Sequence, residues 1–220
     1  MAWLLFILVM IASYIVQMVL SSRINKYSQV ATNLTGAQIA QMMLEANGIH
    51  DVSITCISGT LTDHYNPQTR TVNLSENIYN GRNLAAAAIA AHECGHVIQH
   101  ATGYAPLKLR TAAVPLVSFA SKSVQWILLL GILLINVTPM LLWLGIALFA
   151  ITTLFSFITL PVEVNASQRA VEWLNSANIT DSTTTAYAHD ALKWAAYTYV
   201  TAALGSLATL LYYISMARRN

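Results

Sequence analysis

The chain has 220 residues, of which 56% are hydrophobic and only 9% charged, with a formal net charge of +2. An ordinary soluble domain carries about 25% charged residues, so this deficit points to a membrane protein. The few lysines and arginines are scattered, which argues against a nucleic-acid partner, and two cysteines, Cys56 and Cys94, are too few for a disulfide framework and read as free thiols.

In chain order, Ala2–Leu20 is uncharged and long enough to cross a bilayer. It lacks a basic leader and a small-residue cleavage site, so it reads as a retained anchor rather than a signal peptide. Residues 21–110 form the polar stretch that can build a water-facing domain. Within it, Thr35 as N-cap and Gly48 just past the end bracket a helix over 36–47. "DVSITCIS" alternates Val52, Ile54 and Cys56 on one face and reads as a strand. A turn at Asn66-Pro67 leads into a second short strand, Arg70–Leu74, expected at a sheet edge where an extended peptide could add as a further strand. From Asn83 as cap, "LAAAAIAAHECGHVIQHA" reads as an alanine-rich helix stopped by Gly103.

Further apolar stretches follow. Ser123–Thr138 is short for a span, but extends upstream through Thr111–Ala120 with only Lys122 interrupting; Met140–Leu160 and Trp194–Met216 are each about twenty residues without a charge. Pro161 is expected to open a polar helical segment. The expected organisation is a first span in 1–20, a polar domain in 21–110, a hairpin of two spans in 111–160, a polar helical segment in 161–193, and a last span with its tail in 194–220. The fold class is therefore mainly α and integral to the membrane, with about four transmembrane helices and a small α+β domain at the membrane surface.

"AHECGHVIQH" carries the chemistry. On a helix, positions four apart share a face, so His92 and His96 can both address one metal ion. Glu93 lies one residue round, suited to take a proton from a water that zinc has made acidic. His100 continues the series but lies a further turn, about 6 Å, along the axis, so it is not the third ligand. The remaining downstream acids and histidines are Glu163, Glu172, Asp181, His189 and Asp190. Glu163 stands first because it begins a polar segment directly after a span; Glu172 is next. Two spans between His96 and Glu163 return the chain to the side it left, which lets such a site close. Arg169 is a candidate for a substrate carbonyl or carboxylate, and His189 a candidate to polarise the oxyanion. Cys94 should point away from the metal as a small packing residue, and Gly95 should let another element come close.

Five stretches, "LTDHYNPQTRTVNLS", "AAHECGHVIQH", "GYAPLKLR", "LPVEVNASQRA" and "TYVTAAL", together resemble the YugP-like membrane zinc metallopeptidases over nearly the whole chain. More distantly, the layout is similar to HtpX-like and CAAX-prenyl-protease metallopeptidases. The resemblance implies a zincin-like domain, a zinc cofactor, a peptide or membrane-protein substrate, and a downstream glutamate, here Glu163, as third ligand. It also implies an acid four residues later that steadies a ligand histidine; that position is Ser167, which can hydrogen-bond without a charge.

Arg23, Lys26, Arg70, Arg82, Lys108, Arg110, Lys122, Arg169 and Lys193 fall on the domain's side of a four-span arrangement, and Arg218 and Arg219 on the other. The positive-inside rule then puts the catalytic domain of a multi-pass cell-membrane protein in the cytosol. The alternatives are a catalytically silent membrane scaffold that keeps the zinc fold and, more weakly, a transporter, whose spans would be expected to hold more ionisable groups than Lys122. Oligomeric state and membrane partners stay open.

Overall fold

The computed structural model describes Ala2–Arg218; Met1, Arg219 and Asn220, including half of the terminal basic pair, lie outside the described residues. The chain order is α1 (Ala2–Tyr27), α2 (Gly36–Ala46), β1 (Ser53–Ile57), β2 (His64–Asn66), β3 (Thr71–Ser75), α3 (Glu76–Tyr79), α4 (Leu84–Ala101), α5 (Ala105–Leu133), α6 (Pro139–Ser176) and α7 (Ser182–Ala217). It divides into two compact units. One holds the residues up to Val16, Lys108–Pro161 and those from Tyr197 on; the other holds Gln17–Leu107 and Val162–Ala196.

The first unit is helical. α1, α5, α6 and α7 each contain a stretch long and apolar enough to cross a membrane, as the composition led us to expect. Large apolar side chains face outward from them, among them Leu8, Phe119, Trp126, Leu144 and Leu154. α5 runs unbroken through Pro115 and past Lys122, so the short stretch does extend upstream. α5 and α6 form a hairpin in which a Cβ on Gly131 would stand 2.7 Å from the Cα of Leu142. Small residues of this kind let two helix backbones approach without relying on hydrophobic exclusion from water.

The second unit is α+β. α2 begins where Thr35 accepts a hydrogen bond from the Gln38 amide while the Gln38 side chain accepts from the Thr35 amide, a reciprocal cap. It ends at Asn47, and the following Gly48 has φ +68°. The sheet order is β1-β3-β2, with β1 parallel and β2 antiparallel to β3. This overturns the expected edge position of the second strand: β3 is central, and Val72 and Leu74 are fully buried. The unexpected β2 covers that side, joined to β3 by a turn in which the Asn66 side chain accepts from the amides of Gln68 and Thr69. β1 also departs from strict alternation, since Cys56 is exposed while Val52 and Ile54 pack on the core.

α4 starts at Asn83, whose side chain accepts from the Ala86 amide, and the chain turns away at Gly103, φ +65°. Its alanines (Ala86, Ala87, Ala88, Ala90 and Ala91) are almost fully buried with Ile39, Met43 and Leu44 of α2. Alanine has the best helix propensity and the smallest apolar side chain, so one run both forms the helix and admits a close neighbour. α6 does not begin at Pro161; it runs through that residue as one helix from Pro139. A proline inside a helix removes a single backbone donor, and here the helix continues past it.

Candidate metal centre

The two-unit division puts α4 and the C-terminal part of α6 in the same compact unit. Gly95 of α4 is where they meet: a Cβ there would stand 2.6 Å from the carbonyl oxygen of Ala166. Glycine at this position, as expected, admits the neighbouring backbone. Cys94, on the other side of α4, is buried, with its thiol 3.6 Å from the Ala40 carbonyl. Burial, and then the charge of Glu93, pushes that thiol above its ordinary pKa, so it packs as a neutral group.

His92, His96 and Glu163 converge, with all three candidate ligand atoms within 4.8 Å of one another. Glu163 Oε2 stands 3.4 Å from His92 Nε2 and 3.5 Å from His96 Nε2. Donors ~2.0–2.1 Å from a tetrahedral zinc stand ~3.3–3.4 Å from one another, so the two distances from Glu163 fit the ion. Two imidazoles and one carboxylate are also the ligand count that leaves a fourth position open in a catalytic site. Burial works against a charged His96 ring, but hydrogen bonding to Glu163 and the charges of Glu93 and Glu163 outweigh it and raise its pKa. The same field favours any cation placed between these groups.

Each histidine is held through its other nitrogen. Ser167 Oγ lies 3.1 Å from His92 Nδ1, and Gln99 Oε1 lies 3.1 Å from His96 Nδ1. With Nδ1 carrying the hydrogen in both rings, each Nε2 keeps a lone pair for an ion. Ser167 therefore makes the contact that the resemblance implied for an acid at its position. Glu93 is buried, and its Oε2 accepts from the Tyr65 amide of β2 at 3.1 Å. This bond ties β2, the outer strand on that side of the sheet, to the motif helix.

Other candidates fall differently. His100 is exposed and hydrogen-bonds Tyr65 Oη at 2.9 Å through Nδ1, outside the group of three. Glu172 is exposed on α6, also outside it. Arg169 is half-buried and donates from Nε to Asn165 Oδ1 at 2.9 Å. His189 is exposed on α7 and, among the described residues, bonds none of the three. Sequence reasoning missed Gln99, Asn165 and Tyr65. The signal for Gln99 was its place three residues after His96, on the same helical face. Asn165, four before Arg169, offered a similar cue, whereas β2, with three residues, is too short for a period to register.

A family model described as "Putative neutral zinc metallopeptidase" matches residues 2–218. The chain is also 42% identical, over 204 residues covering 92% of it and 90% of the relative, to "Putative membrane protease YugP" of Bacillus subtilis (strain 168). No solved structure matches it. With both matches running almost from end to end, the chain belongs to the zinc metallopeptidase family that this model describes.

Proposed function

We propose that the chain is an integral membrane zinc endopeptidase in which His92, His96 and Glu163 hold the ion and Glu93 is the general base. The observation that carries this is the convergence of two imidazole nitrogens and one carboxylate oxygen from residues about seventy positions apart, beside a buried glutamate. When bound, zinc supplies a Lewis acid that polarises a peptide carbonyl and acidifies a water. Glu93 takes the proton from the attacking water and passes it to the leaving amine, so that water adds across the peptide bond. The Tyr65 amide orients the Glu93 carboxylate for this transfer. β2, the outer strand on this side of the sheet, rather than β3, is the strand beside which an extended peptide would lie.

Glu93→Gln keeps the size of the side chain but cannot accept the proton. Peptide or casein cleavage by the purified protein should fall by ~10²–10⁴-fold, with one zinc per chain retained by metal analysis. Wild-type cleavage in that variant would assign the base to another group, and a wild-type protein that binds zinc but cleaves nothing would leave the scaffold reading.

The proposed topology has two membrane crossings between Leu107 and Val162, and the packing of Gln17–Leu107 with Val162–Ala196 into one unit supports it. The distribution of basic residues supports a cytosolic side for that unit. With Cys56→Ser and Cys94→Ala in the background, single cysteines introduced near Arg70 and Arg169 should therefore be labelled from the same, cytosolic side by an impermeant thiol reagent. Labelling from opposite sides would break the arrangement.

A further inference from the structure

Gln99 sits one helical turn beyond His96 and is fully buried. A carboxamide buried at that depth must place two donor hydrogens and an acceptor oxygen. Both donors go to α6: Nε2 donates to the Val162 carbonyl at 2.7 Å and to Asn165 Oδ1 at 3.0 Å. Only the oxygen remains for His96, so the Nδ1 of His96 is the donor in that contact and its Nε2 keeps the lone pair that faces Glu163. Asn165 Oδ1 accepts at the same time from Arg169 Nε.

We propose that Gln99 is a positioning residue for the metal centre, acting in two directions at once. Toward α4 it sets the tautomer and ring orientation of His96. Toward α6 it grips the carbonyl of the residue immediately before Glu163, and so sets the helix spacing at which the third ligand meets the other two. Through Asn165 it also fixes where Arg169 stands, four residues further along the same helix. The inference rests on the zinc reading above.

A residue needed only to fill the core could be replaced by an apolar side chain of the same length at little cost, because removing a polar side chain also removes its own desolvation penalty. Gln99→Met makes that replacement. It removes the Gln99 donor from the Val162 carbonyl and from Asn165, which keeps only Arg169, and it leaves His96 without the Gln99 acceptor on Nδ1. Outer partners of this kind typically change metal affinity by ~10–100-fold.

The test uses the full chain in detergent. Zinc affinity is measured by competition with a chromophoric chelator, thermal unfolding is followed with and without zinc, and the visible spectrum of the cobalt-substituted protein is recorded. Gln99→Met is expected to bind zinc ~10–100-fold more weakly, with a shifted cobalt spectrum and a smaller zinc-induced rise in Tm. Should Gln99→Met not fold, Gln99→Asn keeps the uncharged carboxamide but is one methylene too short to reach His96 and α6 together. Weaker zinc binding and a shifted cobalt spectrum are expected there too. Wild-type affinity and an unchanged cobalt spectrum, with only the zinc-free Tm lowered, would overturn the proposal and leave the metal reading intact. A wild-type chain that binds no zinc would remove the reading on which it rests.

Discussion

α4 and α6 furnish one candidate site by opposite routes. α4 carries His92, Glu93, His96 and Gln99 within two turns, so their common direction follows from the helical repeat alone. α6 brings Glu163, Asn165, Ser167 and Arg169 next to a packing stripe in which Val162, Ala166, Ala170 and Leu174, four residues apart, are fully buried. Its polar residues reach the site only because that stripe packs against the rest of the unit, and at Ala166 against Gly95. The histidine pair is thus a property of one helix, while the proposed third ligand is a property of a contact. Perturbing the contact should therefore affect the metal more than the local helix would suggest.

The sharpest break of that comparison is at Glu163. Structural zinc sites bind with ~10–16 kcal/mol shared among their ligands, so one lost ligand should cost roughly 10²–10³-fold in affinity. Glu163→Ala should fall by that much in chelator competition, while Glu172→Ala on the exposed face of the same helix should not change. Zinc lost with Glu172 instead would mean that α6 contributes through a different face.

Next in size is Gly95→Ala, where local and tertiary effects oppose one another. Alanine is favoured over glycine in a helix interior by ~1 kcal/mol, so α4 by itself should be strengthened. Yet the new Cβ would stand 2.6 Å from the Ala166 carbonyl oxygen and 3.0 Å from its Cα, both backbone atoms that cannot rotate away. Overpacking of this sort costs ~1–3 kcal/mol. The expected outcome is a lower Tm together with weaker zinc binding. A higher Tm with unchanged zinc affinity would mean that the contact yields and that the local term governs.

The same opposition explains what could be read from the sequence. α2 and α4 carried their start and stop signals in their own residues: Thr35 and Gly48 for one, Asn83 and Gly103 for the other. The role of Cys94 followed from its angular position on α4, and that of Gly95 from the cost of a glycine inside a helix. Pro161 misled, because a proline marks a helix start only when the preceding turn is not already helical. β3 misled as well. Its central place depends on β2, whose three residues have too short a pattern to compete with the turn beside them. Gln99 reads locally as an ordinary polar residue near a helix end; only the Val162 carbonyl and Asn165 reveal why it is buried.

The smallest expected effect tests whether α4 orients its own ligands. Ser167 Oγ stands 3.1 Å from His92 Nδ1, and it is the α6 counterpart of the Gln99 contact on His96. A hydroxyl is a neutral acceptor, so it holds the ring in place without the added basicity that a carboxylate would give to the metal-facing nitrogen. Ser167→Ala should weaken zinc by ~10-fold, the lower end for an outer partner, because the helix still limits the rotamers of His92. Ser167→Asp, one methylene-like step longer and ionised, should recover the loss and bind zinc at least as tightly as the wild type. It should also lower the Tm of the zinc-free protein, since it adds a third carboxylate beside Glu93 and Glu163 with no cation to offset it. Unchanged zinc affinity in Ser167→Ala would mean that α4 alone sets the direction of His92. α6 would then contribute its ligand without orienting those of its neighbour.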